Sequence, residues 1–295
     1  MGDFIVGFLD LVGSKEDLRR VDVAESEQDK RDRLEIVVRR LRAFRDDFYT
    51  YLSTAGKIES EYDAACPESL RARREAKKGN PVKLFVFSDT VVIHASLESS
   101  QRQVPLESCW MIMMAAAASQ LFSLARKVPI RRGIEIGCAT ELSSTEIIGP
   151  VVVEALRLES EVADYPRIVV GKSLRSYVES IAHAECSSET ASTNQDFAKI
   201  ACALIRADIE DNAMLDILSP WLATVMGQAS YEDCLQKARA FASSQFEHFR
   251  DSGNLKLAGR YAILSKYLNA ERPQEAEDPS RVMAALLNLA RRNRR

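Results

Sequence analysis

The chain has 295 residues, 46% of them hydrophobic and 28% charged. That suits about two domains, or one with an extension, and excludes a largely disordered or collagen-like chain. Its 40 basic and 43 acidic residues leave a net charge of −3, so nothing global favours nucleic acid as a partner. Six cysteines without a CxxC pair, beside three histidines, argue against a zinc cluster or a small disulfide framework; free thiols in a reducing cytosol are expected.

In chain order, MGDFIVGFLD lacks the basic n-region and long apolar core of a signal peptide. The longest apolar run, Cys109 to Ala118, is too short to cross a bilayer. A cytoplasmic protein without membrane contact is the expectation. Phe4 to Asp10 reads as a buried central strand. Residues 25–54 carry helical spacing through Leu34, Val37, Val38, Leu41, Phe44, Phe48, Tyr51 and Leu52. Residues 54–80, with RARREAKKGN, read as a charged loop or arm, a solvated charge run rather than a nucleic-acid contact. Strands over 82–87 and 90–95 flank Ser88 and Asp89 at a tight hairpin tip. An apolar helix over 104–127 and a strand over 130–139 complete a β-α-β-β-α-β order, a ferredoxin-like α/β (α+β) core.

Beyond it, Gly149-Pro150 starts a helix to about 163. A strand over 167–170 and a helix over 172–182 follow, then SSETASTN as a loop. A hairpin is expected from 200–208 and 213–218 around Glu210-Asp211-Asn212. Amphipathic helices over 221–292 form an added C-terminal element, and no internal repeat is visible.

This topology locates a site. In a split βαβ sheet the first and third strands are antiparallel neighbours, so Asp10 at the end of one meets Asp89 at the start of the other. Two carboxylates without histidine or cysteine suit hard cations such as Mg²⁺ or Mn²⁺. The turn Leu11-Val12-Gly13-Ser14 offers backbone N–H groups to phosphate. Metal beside phosphate-binding amides points to phosphoryl or nucleotidyl chemistry. Either aspartate alone is better explained by turn chemistry; it is their joint placement that points to a site.

FLDLVGS resembles the first metal motif of class III nucleotidyl cyclases, and FSDTVVI resembles the second, at a hairpin tip. Arg132-Gly133-Ile134-Glu135-Ile136-Gly137 is similar to the family's Arg-Ile-Gly-Ile-x-x-Gly strand. Residues 146–159, from Glu146-Ile147-Ile148-Gly149 to Arg157-Leu158-Glu159, resemble its Asp-x-x-Gly-x-x-Val-Asn-x-Ala-x-Arg-Leu-Glu segment. The resemblance spans residues 4 to about 182 and implies a cyclase catalytic domain over 1–218, with a helical extension over 219–295. It also implies two metal ions per site, held by Asp10, Asp89 and the Leu11 carbonyl, and a homodimer whose sites take Arg157 from the second subunit. Arg157 is thereby implied to stabilise charge on the α-phosphate; a surface arginine paired with Glu154 or Glu161 is the plainer reading.

Three positions depart from the family. Val153 replaces the ribose-positioning asparagine, Phe85 replaces the base-reading lysine of purine enzymes, and Glu146 replaces its partner aspartate. With Lys266-Tyr267-Leu268-Asn269 in the extension, the pattern resembles the stand-alone bacterial pyrimidine cyclases of anti-phage signalling. That resemblance implies UTP or CTP as substrate, a cyclic nucleotide product and a separate effector that it activates. Tyr51 is a candidate for the pyrimidine edge, with Tyr49 across the helix as its control. Core packing explains Tyr51 and Phe85 as well. Lys172 and Arg206 are weaker candidates for the triphosphate. The competing expectations are a purine cyclase and a degenerate cyclase that only binds nucleotide or a partner.

Overall fold

The computed structural model describes residues 1–11, 19, 21–65, 81–87, 90–98, 105–143, 146–185 and 189–270. Strand β1 runs Gly2–Leu11 and helix α1 runs Glu27–Ala65. Strands β2 (Lys83–Phe87) and β3 (Thr90–Ser96) precede helix α2 (Pro105–Ala125). Strands β4 (Ile130–Ser143) and β5 (Glu146–Ile148) lead into helix α3 (Pro150–Arg157), which widens into a π-turn, Leu158–Val162. Strand β6 (Ile168–Val170) and helices α4 (Lys172–Ala182) and α5 (Glu189–Ala203) come next. Strands β7 (Ile205–Ala207) and β8 (Ala213–Leu215) precede helices α6 (Pro220–Met226), α7 (Gln228–Asp251) and α8 (Leu255–Leu268).

Among the described residues the strands form one mixed sheet in the order β2-β3-β1-β4-β6-β8-β7, with β5 pairing β4. Its first four members have the split βαβ order expected from the sequence, and the fold is α+β. The β4–β6 pair is parallel; the other pairs are antiparallel.

Strand β1 is apolar from Phe4 to Leu9 because it is central and covered on both faces. Ile5 and Leu9 join Val91, Ile93, Ile134 and α2 in the larger core. Phe4 and Val6 face the other way, onto Val92, Ala139, Val151 and Ala155. Helix α2 is long and apolar enough over Leu106–Ala125 to cross a bilayer, but most of it is buried inside the protein. That burial explains its near-continuous apolar sequence without a membrane.

Several expectations are corrected. Helix α1 starts under a Ser26 cap, whose Oγ accepts the Asp29 N–H at 3.1 Å, and continues to Ala65. The first part of the expected charged loop is therefore helical; residues 66–80 lie outside the described residues. Of the Ser/Thr-rich stretch expected as a loop, Glu189 to Asn194 begin α5 instead, and residues 187–188 lie outside the described residues. Its weak helix formers are overridden by packing, with Ala198 and Ala201 buried and Phe197 against Trp110. Helix α5 also takes up Ile200 to Ala203, so the hairpin is shorter than expected and keeps Asp211 at positive φ in its turn. Trp221, Tyr231, Phe241 and Leu264 of the C-terminal helices belong to the same core as α2 and β1, so no break in packing marks residue 218. The four described cysteines are free thiols, and burial pushes the Cys109 thiol up to about 12.

Candidate active site

The site is built on the sheet face opposite α2. Register pairs Asp10 with Thr90 on β3 and with Arg131 on β4. Directly opposed residues share a face, so one row reads Thr90, Asp10, Arg131. The next row is Phe85, Val92, Phe8 and Gly133, and behind it lie Lys83, His94, Val6 and Glu135. The ladder thus brings Asp10 opposite the residue that follows Asp89 in sequence. Asp89, Val12, Gly13 and Ser14 themselves lie outside the described residues, and Leu11 is placed only as the last residue of β1, paired with Ile130.

Asp10 is 5% exposed. Arg131 Nη2 stands 3.5 Å from Asp10 Oδ2 and 3.0 Å from Glu159 Oε1. Glu159 is itself only 3% exposed. It reaches this place through local geometry. Gly133 has no side chain, and a Cβ there would run into the Ala155 carbonyl and Leu158. The end of α3 can therefore lie directly on β4. Widening at Leu158–Val162 then sets Glu159 over Arg131. Glu135, also buried on β4, has a different task. Its carboxylate accepts the Leu174 N–H at 2.8 Å and so caps α4.

Carboxylate oxygens without sulfur or imidazole fit a hard divalent cation. The Arg131 guanidinium already stands at Asp10, so a divalent cation there would have to displace it. Among the described residues no group of three or more His, Cys, Asp or Glu side chains forms a complete cage. Asp10 is the donor that these residues contribute.

Phe85 is half-buried and packs on the same face as Asp10, in the cluster of Phe8 and Val92. Its ring meets the buried His94 ring edge-on, with centroids 6.2 Å apart. His94 Nε2 is buried without a hydrogen-bond partner among the described residues. Burial lowers the His94 pKa, reinforced by Lys83 and opposed by Glu141. Beside it Lys83 Nζ donates to Glu141 Oε1.

Other expected site residues lie elsewhere. Glu146 is exposed at the start of β5, whereas Ile147 packs on the Phe85 face. The acidic group that reaches Lys83 is Glu141, which the β4–β5 ladder pairs with Ile147. Tyr51 packs against the α2 core, with its ring 6.0 Å from Phe122. Helix α2 covers the opposite sheet face, so the fold does not bring Tyr51 to Phe85. Tyr49 is exposed. Arg206 lies 3.7 Å from Asp216 and over the Tyr267 ring, against the C-terminal helices. Lys172 is exposed at the start of α4.

Val153 and Arg157 share the outer side of α3, whose inner side is Val151 and Ala155. Val153 is 68% exposed. Arg157 donates to Glu154 at 2.7 and 2.9 Å and lies 3.8 Å from Glu161, the local pairs that its spacing allows. The bond from Arg157 holds the Glu154 carboxyl below its ordinary range.

Sequence reading missed Arg131, Glu159, His94 and the Lys83–Glu141 pair. One signal was available: two consecutive arginines at a strand start must face opposite layers. Glu159 closes the quoted Arg-Leu-Glu segment, but its place over Arg131 depends on the π-turn and was not legible.

No protein-family model matches the chain, and no curated protein does. Among solved structures it is similar to the monomeric guanylyl cyclase domain of the RhoGC fusion protein from the aquatic fungus Blastocladiella emersonii. Identity is 17%, the match covers 61% of this chain and 86% of that one, and the TM-score is 0.30.

Proposed function

We propose that the protein is a nucleotidyl cyclase that converts a pyrimidine nucleoside triphosphate, UTP or CTP, to its 3′,5′-cyclic nucleotide and diphosphate. The observation that carries this reading is the ladder joining β1 to β3, which sets buried Asp10 opposite Thr90, next in sequence to Asp89. The four cyclase-like motifs support this reading; their described parts lie on β1, β2, β3, β4, β5 and α3. Asp10, Asp89 and the Leu11 carbonyl hold Mg²⁺ or Mn²⁺. Such ions, when bound, favour the ionised ribose 3′-hydroxyl and offset the charge of the triphosphate. The 3′-oxygen attacks the α-phosphorus, the bond to the β-phosphate oxygen breaks, diphosphate leaves and the hydroxyl proton goes to solvent. Backbone N–H groups of Val12, Gly13 and Ser14 bind phosphate oxygens, and Phe85 forms an apolar wall for the base.

Arg157 acts on the site of a second copy. In its own chain its ion pairs go to Glu154 and Glu161, and Val153 and Leu156 on the same helix are exposed apolar groups. Such a patch suits a homodimer contact. The cyclic product activates a separate effector in anti-phage signalling.

Incubation of the full chain with each NTP and Mn²⁺, followed by chromatography, tests the activity. Cyclic UMP or cyclic CMP from wild type, and none from Asp10→Ala, is expected. Cyclic AMP or cyclic GMP as the main product overturns the pyrimidine assignment, and no cyclic product from any NTP overturns the cyclase reading.

A further inference from the structure

We propose that Arg131 is the internal counter-cation of this site, a positioning residue that competes with the divalent cation for Asp10 and is drawn off by Glu159. This rests on the reading of Asp10 as a metal-binding residue. The geometry is a shared nitrogen. The same Nη2 stands between Glu159 Oε1 at 3.0 Å and Asp10 Oδ2 at 3.5 Å. Arg131 and Asp10 are fixed opposite each other by the β1–β4 ladder. Glu159 is fixed by the descent of α3 onto Gly133. The guanidinium therefore has two anchors on rigid elements, and the nearer is not the proposed metal-binding residue.

A divalent cation and a guanidinium repel strongly at such distances in a site shielded from water. When a cation takes Asp10, Arg131 must move away, and Glu159 is the partner already in reach. Arg131 is also not locked in place by a complete set of bonds. Its Nε is buried without a hydrogen-bond partner among the described residues. Glu159 thus lowers the cost of releasing Asp10, while Arg131 balances that carboxylate until the cation arrives.

The two residues should shift metal affinity in opposite directions. Mn²⁺ binding to the full chain, without nucleotide, is followed by the electron paramagnetic resonance of free Mn²⁺. Arg131→Gln removes the competitor and tightens binding by roughly threefold to tenfold, the range of a partly shielded ion pair. Glu159→Gln leaves Arg131 to Asp10 alone and weakens binding by a similar factor. In the double variant Glu159→Gln has no further effect, because it acts through Arg131. If Arg131→Gln does not fold by circular dichroism, Arg131→Lys replaces it. The shorter ammonium cannot span both carboxylates, so tighter binding is again expected.

Asp10→Asn is the control for the underlying reading. If it binds Mn²⁺ as wild type does, Asp10 is not a metal residue and the proposal falls with that reading. If Asp10→Asn loses Mn²⁺ while Arg131 and Glu159 variants match wild type or shift together, the metal reading stands and the competition is overturned. Weakening by Glu159→Gln in the Arg131→Gln background also overturns it, because Glu159 would then act on the cation directly.

Discussion

Arg131 and Arg132 are consecutive on β4 and face opposite layers of the sheet. Arg132 is 0% exposed and lies under α2, where Nη1 donates to the Ala116 carbonyl and to Ser119 Oγ at 2.7 Å. Burial pulls its pKa down to about 9. Arg131 lies on the Asp10 face and bridges two carboxylates. On the α2 side, charge is tied to a helix backbone and serves the fold. On the α3 side, charge meets charge, and the same residue type becomes part of a site. A one-residue step along a strand separates the two roles.

The largest expected effect tests the α3 side. Asp10→Ala should abolish turnover while leaving the far-ultraviolet circular dichroism and the urea midpoint close to wild type. Normal cyclisation by this variant would put the chemistry elsewhere. On the α2 side, Arg132→Ala should leave turnover per folded molecule intact but destabilise the fold by about 3 kcal/mol. It opens a cavity and strips a donor from buried oxygens. Urea unfolding measures this, and a loss below about 1 kcal/mol would erase the contrast between the faces.

Arg157→Ala sharpens the comparison from outside the sheet. It should lower kcat by about 10², with a smaller effect on nucleotide affinity, because its charge matters most in the transition state. Mixing Asp10→Ala with Arg157→Ala protein should restore some activity through one intact shared site. No recovery despite demonstrated subunit exchange would count against sharing.

Phe85→Ala should have a smaller effect, weakening pyrimidine turnover and narrowing its advantage over ATP and GTP. Comparison of kcat/KM for all four NTPs decides this. An unchanged ratio would move base selection away from this wall.

The smallest effect concerns His94. Burial holds its pKa below the ordinary 6.5, so the unfolded chain takes up the proton more readily than the folded one. Its penalty is absent well above 6.5, grows as pH falls through 6.5 toward the folded pKa, and is constant below that. Melting temperature should drop between about pH 7.5 and about pH 5.5, and less so in His94→Phe. Parallel profiles for the two proteins would assign the acid sensitivity to other groups.

Much of this architecture was legible in local sequence. The apolar run of β1, the 83–87 and 90–96 hairpin strands and Pro150 at the start of α3 all follow from periodicity or turn chemistry. The split βαβ order then puts Asp10 beside the start of β3, because strand order and direction follow from the element sequence.

What local pattern could not decide was contact over long sequence separations. The Ser/Thr-rich start of α5 has weak helix propensity, and its helix depends on burial against α2. Tyr51 had the right spacing for either role, and only the layer covered by its helix assigned it to the core. Arg131, Asp10 and Glu159 come from β4, β1 and the π-turn. The sequence by itself determined which residues share each strand face, because alternation is a local property of the backbone. Only tertiary structure decided which charge meets which, because the approach of α3 at Gly133 sets the position of Glu159.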